Sequence, residues 1–258
     1  MTSQIRTSLF RKLILLFNLS LLSACASVPG GPTEGDPFES YNRAMFSFND
    51  TLDEYVLKPV SEGYDAVLPS PVKTGVSNVF SNLDDIFVVI NDILQFKFVQ
   101  AIEDTTRFIF NSTIGLFGLI DVATPMGLPK HNEDFGQTLA TWGVGSGPYV
   151  VLPFFGSKTL RGTGGFVIES TYDPVYKIKN DDEMWGTVSL RAIDSRYKLL
   201  SAGRIAEQAA VDKYSFIRDA YLQHRKNLIF DGNPPVENAP PPPESTLEDL
   251  DLEKELGL

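Results

Sequence analysis

The sequence predicts an all-α fold for the region that follows residue 35. Apolar side chains recur there at spacings of three and four residues, the period that gives an α-helix one apolar face. A capping residue directly precedes proline in Asp36-Pro37 and in Ser70-Pro71, and this order is typical of a helix start. The same apolar spacing returns in the C-terminal half, so helices are expected on both sides of a glycine-rich centre.

The first predicted helix begins at Asp36, whose side chain can cap it, with Pro37 at the first helical position. Glu39 follows three residues after the cap, as in a capping box. Pro59 is predicted to end this helix, because proline has no N–H to continue the hydrogen-bond ladder. One face of the helix carries the apolar side chains of Phe38, Tyr41, Met45, Phe48, Leu52, Tyr55 and Val56.

Two further helices are predicted, one from Ser70-Pro71 and one from near Lys97. In the later helix, Glu103, Asp104 and Arg107 are predicted to form the face that meets water. The broad apolar face of the earlier helix carries Val72, Val76, Val79, Phe80, Leu83, Ile86, Phe87, Ile90, Ile93 and Leu94. The apolar pattern of the later helix runs through Phe98, Ile102, Thr105, Phe108 and Ile109.

Residues 108–120, FIFNSTIGLFGLI, form an uncharged segment that ends at Asp121. Thirteen residues are too few to span a bilayer, which takes roughly 20 apolar residues in a helix. Gly115 and Gly118 favour a tight bend within the segment. Two interpretations stay open: a hairpin buried in the core, or a loop that lies in lipid.

The centre of the chain is rich in glycine, and residues 131–153 are predicted to end in an extended run. The glycines lack the strand, helix and lysine that surround a phosphate-binding loop, so turns and close helix packing are the predicted roles. Helical patterns resume at residues 157–170 and again over residues 181–229. The glycines concerned are Gly143, Gly145, Gly147, Gly162, Gly164 and Gly165.

Cys25 is the only cysteine, and it follows a basic, then apolar, leader that ends in Ser23-Ala24. This order is typical of a bacterial lipoprotein, with a signal peptide at residues 1–24 and a lipidated tether at residues 25–35. Ala26, rather than aspartate, favours export to the outer membrane. Residues 232–258 are predicted to be a proline-rich spacer and an acidic, unfolded tail.

The net charge of −11 argues against a nucleic-acid partner, which a basic surface would bind. His131 with Glu133 and Asp134 is a conceivable metal cluster, but a hydrogen-bonding turn is the better interpretation. Ser146 and the histidines His131 and His224 are poorly placed for a hydrolytic triad. The sequence therefore assigns no catalytic residue, no metal ligand and no cofactor apart from a covalent lipid on Cys25.

Several motifs, in order, resemble the MlaA (VacJ) family of outer-membrane lipoproteins. The resemblance covers residues 36–231, and the spacer and tail fall outside it. The matching residues are Asp36-Pro37-Phe38-Glu39, Tyr41-Asn42-Arg43, Lys58-Pro59-Val60, Ser77-Asn78, Asn82-Leu83, Arg107-Phe108, residues 111–115, Asp121-Val122-Ala123, residues 133–139, residues 143–152, Pro153 and Gly156.

This resemblance implies a ring-like bundle of amphipathic helices that lies in the inner leaflet of the outer membrane around a central amphipathic channel. It further implies phospholipids as cargo, trimeric porins (OmpC/OmpF-like) as partners and a soluble periplasmic lipid carrier (MlaC-like) as the acceptor. Phospholipids misplaced in the outer leaflet are then returned, without covalent chemistry. The expected gate or lining of the channel is the hairpin of Phe108, Ile109, Phe110, Ile114, Gly115, Leu116, Phe117, Gly118, Leu119 and Ile120.

Two alternative functions stay open at this point. A scaffold lipoprotein would bind porins but carry no lipid. A lipid-cleaving enzyme would need a nucleophile and a base close together, and the sequence offers only Ser146 with His131 or His224 for those roles.

Overall fold

The computed structural model describes residues 36–235, so Cys25, the leader, the tether and most of the tail lie outside the described residues. Within that range the fold is all-α except for one two-stranded hairpin, as predicted. The helices are α1 (Glu39–Leu52), α2 (Lys58–Val67), α3 (Ser70–Leu94), α4 (Phe98–Thr113), α5 (Phe135–Thr141), α6 (Leu160–Tyr172), α7 (Asp181–Lys198), α8 (Leu200–Ala209) and α9 (Lys213–Ile229). The strands are β1 (Tyr149–Leu152) and β2 (Gly156–Thr159).

The prediction that Pro59 ends the first helix is wrong. The chain passes from α1 through a single π-helical turn at Asp53–Leu57 and continues into α2. Pro59 is the second residue of α2, and the π turn shifts the hydrogen-bond pattern where the proline would otherwise break it. The result is a helix that continues through the proline.

Asp36 does not cap α1 with its side chain, contrary to the prediction. Its carboxylate is fully buried and accepts a hydrogen bond from Asn42 Nδ2 at 2.8 Å and another from the Tyr214 hydroxyl. Asn42 also bonds the backbone of β1, because Val151 N donates to its Oδ1 at 2.8 Å. This polar junction joins α1, the β-hairpin and α9 around the small cluster of Tyr149, Val151 and Tyr214.

The β-hairpin pairs its strands in antiparallel register, with Tyr149 opposite Thr159 and Leu152 opposite Gly156. The extended run predicted near residue 150 is confirmed. The helix predicted from residue 157 begins later, at Leu160, because residues 157–159 complete β2. Thr159 then caps α6, and its hydroxyl accepts a hydrogen bond from Gly162 N at 3.0 Å.

The described part of the chain buries polar side chains to an unusual degree. Nine buried residues are hydrophobic, whereas twenty are polar or charged, and 36 large hydrophobic side chains are exposed. On α4, Ile102 is 68% exposed while Asp104 and Arg107 are 0% and 2% exposed. The prediction that Asp104 and Arg107 face water is therefore wrong, because α4 turns its apolar side outward. Soluble domains normally expose charged side chains and bury large apolar ones. The exposed apolar surface of this chain is therefore suited to contact with lipid.

Among residues 36–235, no helix combines the length and the apolar content needed to cross a bilayer.

Candidate functional site

A cavity of about 850 Å³ lies among α3, α6, α7 and the residues that precede α5. Its size is in the usual range for small-molecule sites, about 300–1,000 Å³. The exposed tip of the β-hairpin, Phe154 and Phe155, also lines it. Its apolar lining includes Phe87, Val88, Phe154, Phe155, Phe166 and Val188. Its charged lining consists of Asp84, Lys130, Glu133, Asp134, Lys158, Glu169, Asp173, Arg191 and Lys198.

Most charges of this cavity are held in ion pairs. Arg191 bridges α3 to the turn after α6, since it contacts Asp84 and its Nη1 lies 2.6 Å from Asp173 Oδ2. Lys130 contacts Asp85, and Lys198 Nζ lies 2.8 Å from Asp194 Oδ2. Burial raises the pKa of Asp84, although the positive charge of Arg191 opposes this shift. These pairs hold most of the charged residues of the cavity lining in place.

A buried carboxylate cluster lies behind the Glu133 side of the cavity. Glu133 accepts hydrogen bonds from Gln95 Nε2 and Lys97 Nζ, both at 2.8 Å. Asp92 on α3 and Asp104 on α4 are fully buried and face one another. Burial, and then repulsion from Asp104 and Glu133, raises the pKa of Asp92 to about 8. The fold therefore favours the protonated form of Asp92.

The segment predicted to gate or line a channel forms the end of α4 and the turn that follows it. None of its ten predicted residues lines the cavity, so its role in a lipid path stays a prediction. Phe117 is 86% exposed, and it follows Leu116 in the left-handed region, with φ of 58° and 53°. Exposed apolar side chains of the segment are Ile109, Ile114, Leu116, Phe117, Leu119 and Ile120. Of the two interpretations left open, this exposure favours a loop that lies in lipid over a buried hairpin.

A polar cluster beneath this turn holds it in place. Asn111 donates to Asp121 Oδ1 at 3.1 Å and accepts hydrogen bonds from Val122 N and Ala123 N. Arg107 bonds the Thr124 hydroxyl at 3.1 Å. Burial alone would raise the pKa of Asp121, but hydrogen bonds from Thr124 and Asn111 lower it to about 2. The ionised carboxylate therefore stabilises a turn that presents apolar side chains outward.

Replacing Phe117 with glycine should weaken lipid contact without weakening the fold. A phenylalanine in the left-handed region costs roughly 1–2 kcal/mol, and glycine adopts this conformation freely. We expect the free energy of unfolding of Phe117→Gly to stay within about 1 kcal/mol of wild type, since glycine also loses more entropy on folding. Flotation of the unlipidated chain with phospholipid vesicles should fall about tenfold, because burying phenylalanine contributes roughly 1.5–3 kcal/mol.

Phe117→Leu is the matched control for this experiment, because it keeps both the apolar side chain and the backbone strain. It should bind vesicles nearly as well as wild type. Equal vesicle binding by Phe117→Gly and wild type would show that the turn does not enter lipid.

The residues considered for catalysis are not brought together. His131 Nδ1 lies 2.8 Å from Asp104 Oδ2, which confirms the hydrogen-bonding role predicted for this histidine. In the described residues Ser146 forms no side-chain hydrogen bond with His131 or His224, and no group of three metal-ligating side chains is arranged to hold an ion. Helix α7 begins at Asp181-Asp182, and the Asn180 side chain caps it by accepting a hydrogen bond from Asp182 N. The two acids therefore form an acidic helix start.

The cavity residues themselves were missed by sequence reasoning. Asp84, Lys158, Glu169 and Arg191 come from four different elements, and no local spacing links them. Adjacent acids such as Asp84-Asp85 have the appearance of a solvated face, yet Asp85 is 1% exposed and bonds Lys130. Only the packing of distant elements identifies this group.

Comparisons with known proteins agree with one another. The sequence profile of the family described as MlaA lipoprotein matches residues 34–228. The intermembrane phospholipid transport system lipoprotein MlaA of Escherichia coli (strain K12) is 38% identical over 225 residues, which cover 84% of this chain and 88% of the relative. The protein of the same name from Haemophilus influenzae is 31% identical over 220 residues, which cover 84% of this chain and 87% of the relative.

A solved structure that concerns maintenance of bacterial outer membrane lipid asymmetry aligns with a TM-score of 0.66 and 34% identity. The alignment covers 77% of this chain and 99% of that chain. The profile match spans the helical region that contains the cavity and the exposed turn. The family resemblance seen in the motifs is thereby confirmed: this chain belongs to the MlaA lipoprotein family.

Proposed function

We propose that this protein takes phospholipids misplaced in the outer leaflet of the outer membrane and passes them towards the periplasm, which maintains lipid asymmetry. The cavity is the observation that carries this proposal. The charged residues of its lining suit a headgroup, and the aromatic residues suit the apolar part of a lipid. A polar headgroup crosses an apolar layer only at a high cost unless polar groups replace its water. The named transport function of the relatives supports the same activity.

The proposal places the domain in the periplasm-facing leaflet of the outer membrane, held there by acyl chains on Cys25. Each buried methylene of an acyl chain adds about 0.8 kcal/mol to membrane binding, so several chains give a durable anchor. The exposed apolar side chains of α3, α4 and the following turn then contact lipid. The buried polar side chains of the same helices, among them Asp92, Asp104 and Arg107, lie inside the fold.

Two protein partners complete the proposal. A trimeric porin supports the domain in the membrane, and its contact surface is drawn from the exposed apolar side chains. A soluble periplasmic carrier receives the lipid, because a phospholipid cannot cross an aqueous space unshielded. The proposal involves no covalent step.

The test measures phospholipid in the outer leaflet of cells that lack this gene, with wild-type or Cys25→Ala copies restored. We expect surface phospholipid to rise in the deletion strain and to return to normal only with the wild-type copy. Lyso-lipids and free fatty acids are followed in the same samples. Unchanged surface phospholipid in the deletion strain would overturn the proposal.

The two alternative functions predict different results. A scaffold lipoprotein would co-purify with porin but carry no phospholipid by mass spectrometry. A lipid-cleaving enzyme would change the level of lyso-lipids, and the combined variant of His131→Ala and His224→Ala would abolish that change. A transporter leaves the cleavage products unaltered.

A further inference from the structure

Lys158 differs from the other cations of the cavity. It belongs to β2, and its side chain lines the cavity next to Phe166, whose ring centroid lies 5.5 Å from Nζ. Lys130, Arg191 and Lys198 each have a carboxylate within 4.0 Å. Among residues 36–235, Lys158 has neither an ion pair nor a hydrogen-bond acceptor. Of the cations that line the cavity, Lys158 is therefore the one without a carboxylate in direct contact.

The surroundings of Lys158 make this charge costly. Burial lowers the pKa of Lys158, and the nearby guanidinium of Arg225 lowers it further, while Asp134 and Glu169 oppose the shift. Asp134 is occupied by Arg225, with Nη2 3.0 Å from Oδ1. Glu169 is occupied as well, since Oε1 accepts hydrogen bonds from Phe135 N at 2.7 Å and Asn91 Nδ2 at 3.1 Å. A bound anion would lower this free-energy cost, because it would form the ion pair that Lys158 lacks within the protein.

The apolar neighbours of Lys158 define which anion fits. Phe166 lies beside it, the Phe155 ring packs on Phe166 at a tilt with ring centroids 4.8 Å apart, and Phe154 lies at the exposed hairpin tip. A cation beside aromatic rings suits a phosphate that is esterified to an apolar group. A free phosphate ion would gain nothing from the rings.

We propose that the Lys158 ammonium binds the phosphate group of the phospholipid that occupies the cavity, while Phe155 and Phe166 contact its apolar part. The inference rests on the proposed transport function and assigns a headgroup contact within it. A lipid without phosphate, such as a diacylglycerol, would not use Lys158.

The test compares binding of two short-chain lipids to the full-length protein in detergent by calorimetry. Dioctanoylphosphatidylglycerol carries the phosphate and dioctanoylglycerol lacks it. We expect Lys158→Gln to weaken binding of the phosphatidylglycerol about tenfold and to leave dioctanoylglycerol binding unchanged, which also shows that the variant is folded. Lys158→Arg should retain phosphatidylglycerol binding, because the positive charge is kept. Lys177→Gln, an exposed lysine outside the cavity, is the matched control and should behave as wild type.

Inorganic phosphate is titrated in a separate arm. If it binds wild type as tightly as the phosphatidylglycerol does, the site is one for a free phosphate ion and the inference is wrong. If wild type binds both lipids but Lys158→Gln binds the phosphatidylglycerol equally well, the inference fails while the transport proposal stands. If wild type binds neither lipid, the lipid-binding cavity itself is refuted.

Discussion

Gly165→Ala is expected to lower the free energy of unfolding by about 2–3 kcal/mol, the cost of overpacking a tight contact. A Cβ at this position would lie 2.5 Å from the backbone nitrogen and 3.0 Å from the Cα of Gly136. Both neighbours are backbone atoms, so the strain cannot be relieved by a side-chain rotation. Helices α5 and α6 would have to separate.

Gly164→Ala is a control from the adjacent residue of the same helix. Nothing lies within 4 Å of a Cβ at Gly164, so alanine should be tolerated and, by helix propensity, should stabilise α6 by up to about 1 kcal/mol. Urea unfolding of the detergent-solubilised protein, followed by circular dichroism, measures both variants. Equal stability of the two variants would contradict the close α5–α6 packing.

The same contact positions the cavity. Phe166 and Glu169 follow Gly165 on α6 and line the cavity, as does Gln137 next to Gly136 on α5. A separation of the two helices would therefore shift Phe166 and Glu169 relative to Gln137 and change the shape of the cavity. We expect Gly165→Ala to weaken lipid binding as well as the fold, whereas Gly164→Ala should leave it intact.

Asp92→Asn is expected to stabilise the protein at pH 8 and above and to remove part of the dependence of its stability on pH. The pKa of Asp92 is raised to about 8 by burial and by the nearby carboxylates of Asp104 and Glu133. Its protonated form is therefore favoured in the fold. Asparagine copies that form, because its amide can donate towards Asp104 while its oxygen still accepts from Gln100 Nε2, which lies 2.9 Å from Asp92 Oδ1.

The sign of the pH dependence follows from linkage. A carboxyl group whose pKa is higher in the folded than in the unfolded state contributes stability below the unfolded pKa, here 3.8, and this contribution is lost as pH rises towards about 8. In that window one proton changes the free energy of unfolding by at most about 1.4 kcal/mol per pH unit. Wild type should lose stability relative to Asp92→Asn as pH rises from 5 to 8.

Denaturant unfolding at several pH values between 4 and 9 measures this difference. Asp219→Asn, a change at an exposed carboxylate of α9, is the control and should track wild type. A constant difference between wild type and Asp92→Asn across the range would mean that Asp92 carries no raised pKa.

Local sequence signals predicted the helices well. The start at Ser70-Pro71, the helix from near Lys97 and the helical region from Asp181 are all present, because the 3.6-residue apolar period acts within a few residues. Ser70 itself does not cap α3, whose N-cap position is Pro69 without a side-chain hydrogen bond. These signals failed at Pro59 and Asp36, where contacts or backbone geometry outside the local pattern decided the structure. Helix continues through Pro59 by way of a π turn, and Asp36 bonds Asn42 and Tyr214 instead of capping α1.

The apolar period located the helices but not the direction in which their faces point. Periodicity shows that α4 has an apolar and a polar side, and both sides are equally regular in the sequence. A soluble protein would bury Ile102 and expose Asp104, yet the fold does the reverse. Asn111, Asp121 and Arg107 provide partners for one another across the turn, and such polar burial is possible only once these elements have packed.

The sequence by itself determined the all-α class, the starts of α3, α4 and α7 and, through motifs spread over residues 36–231, the family. The predicted lipid anchor at Cys25 also rests on the sequence alone. Only the tertiary structure decided which residues form the cavity, because Asp84, Lys158, Glu169 and Arg191 meet across long stretches of chain. The tertiary structure also decided which face of each helix is exposed. A polar face can be buried only where its side chains find hydrogen-bond or ion-pair partners in the packed fold.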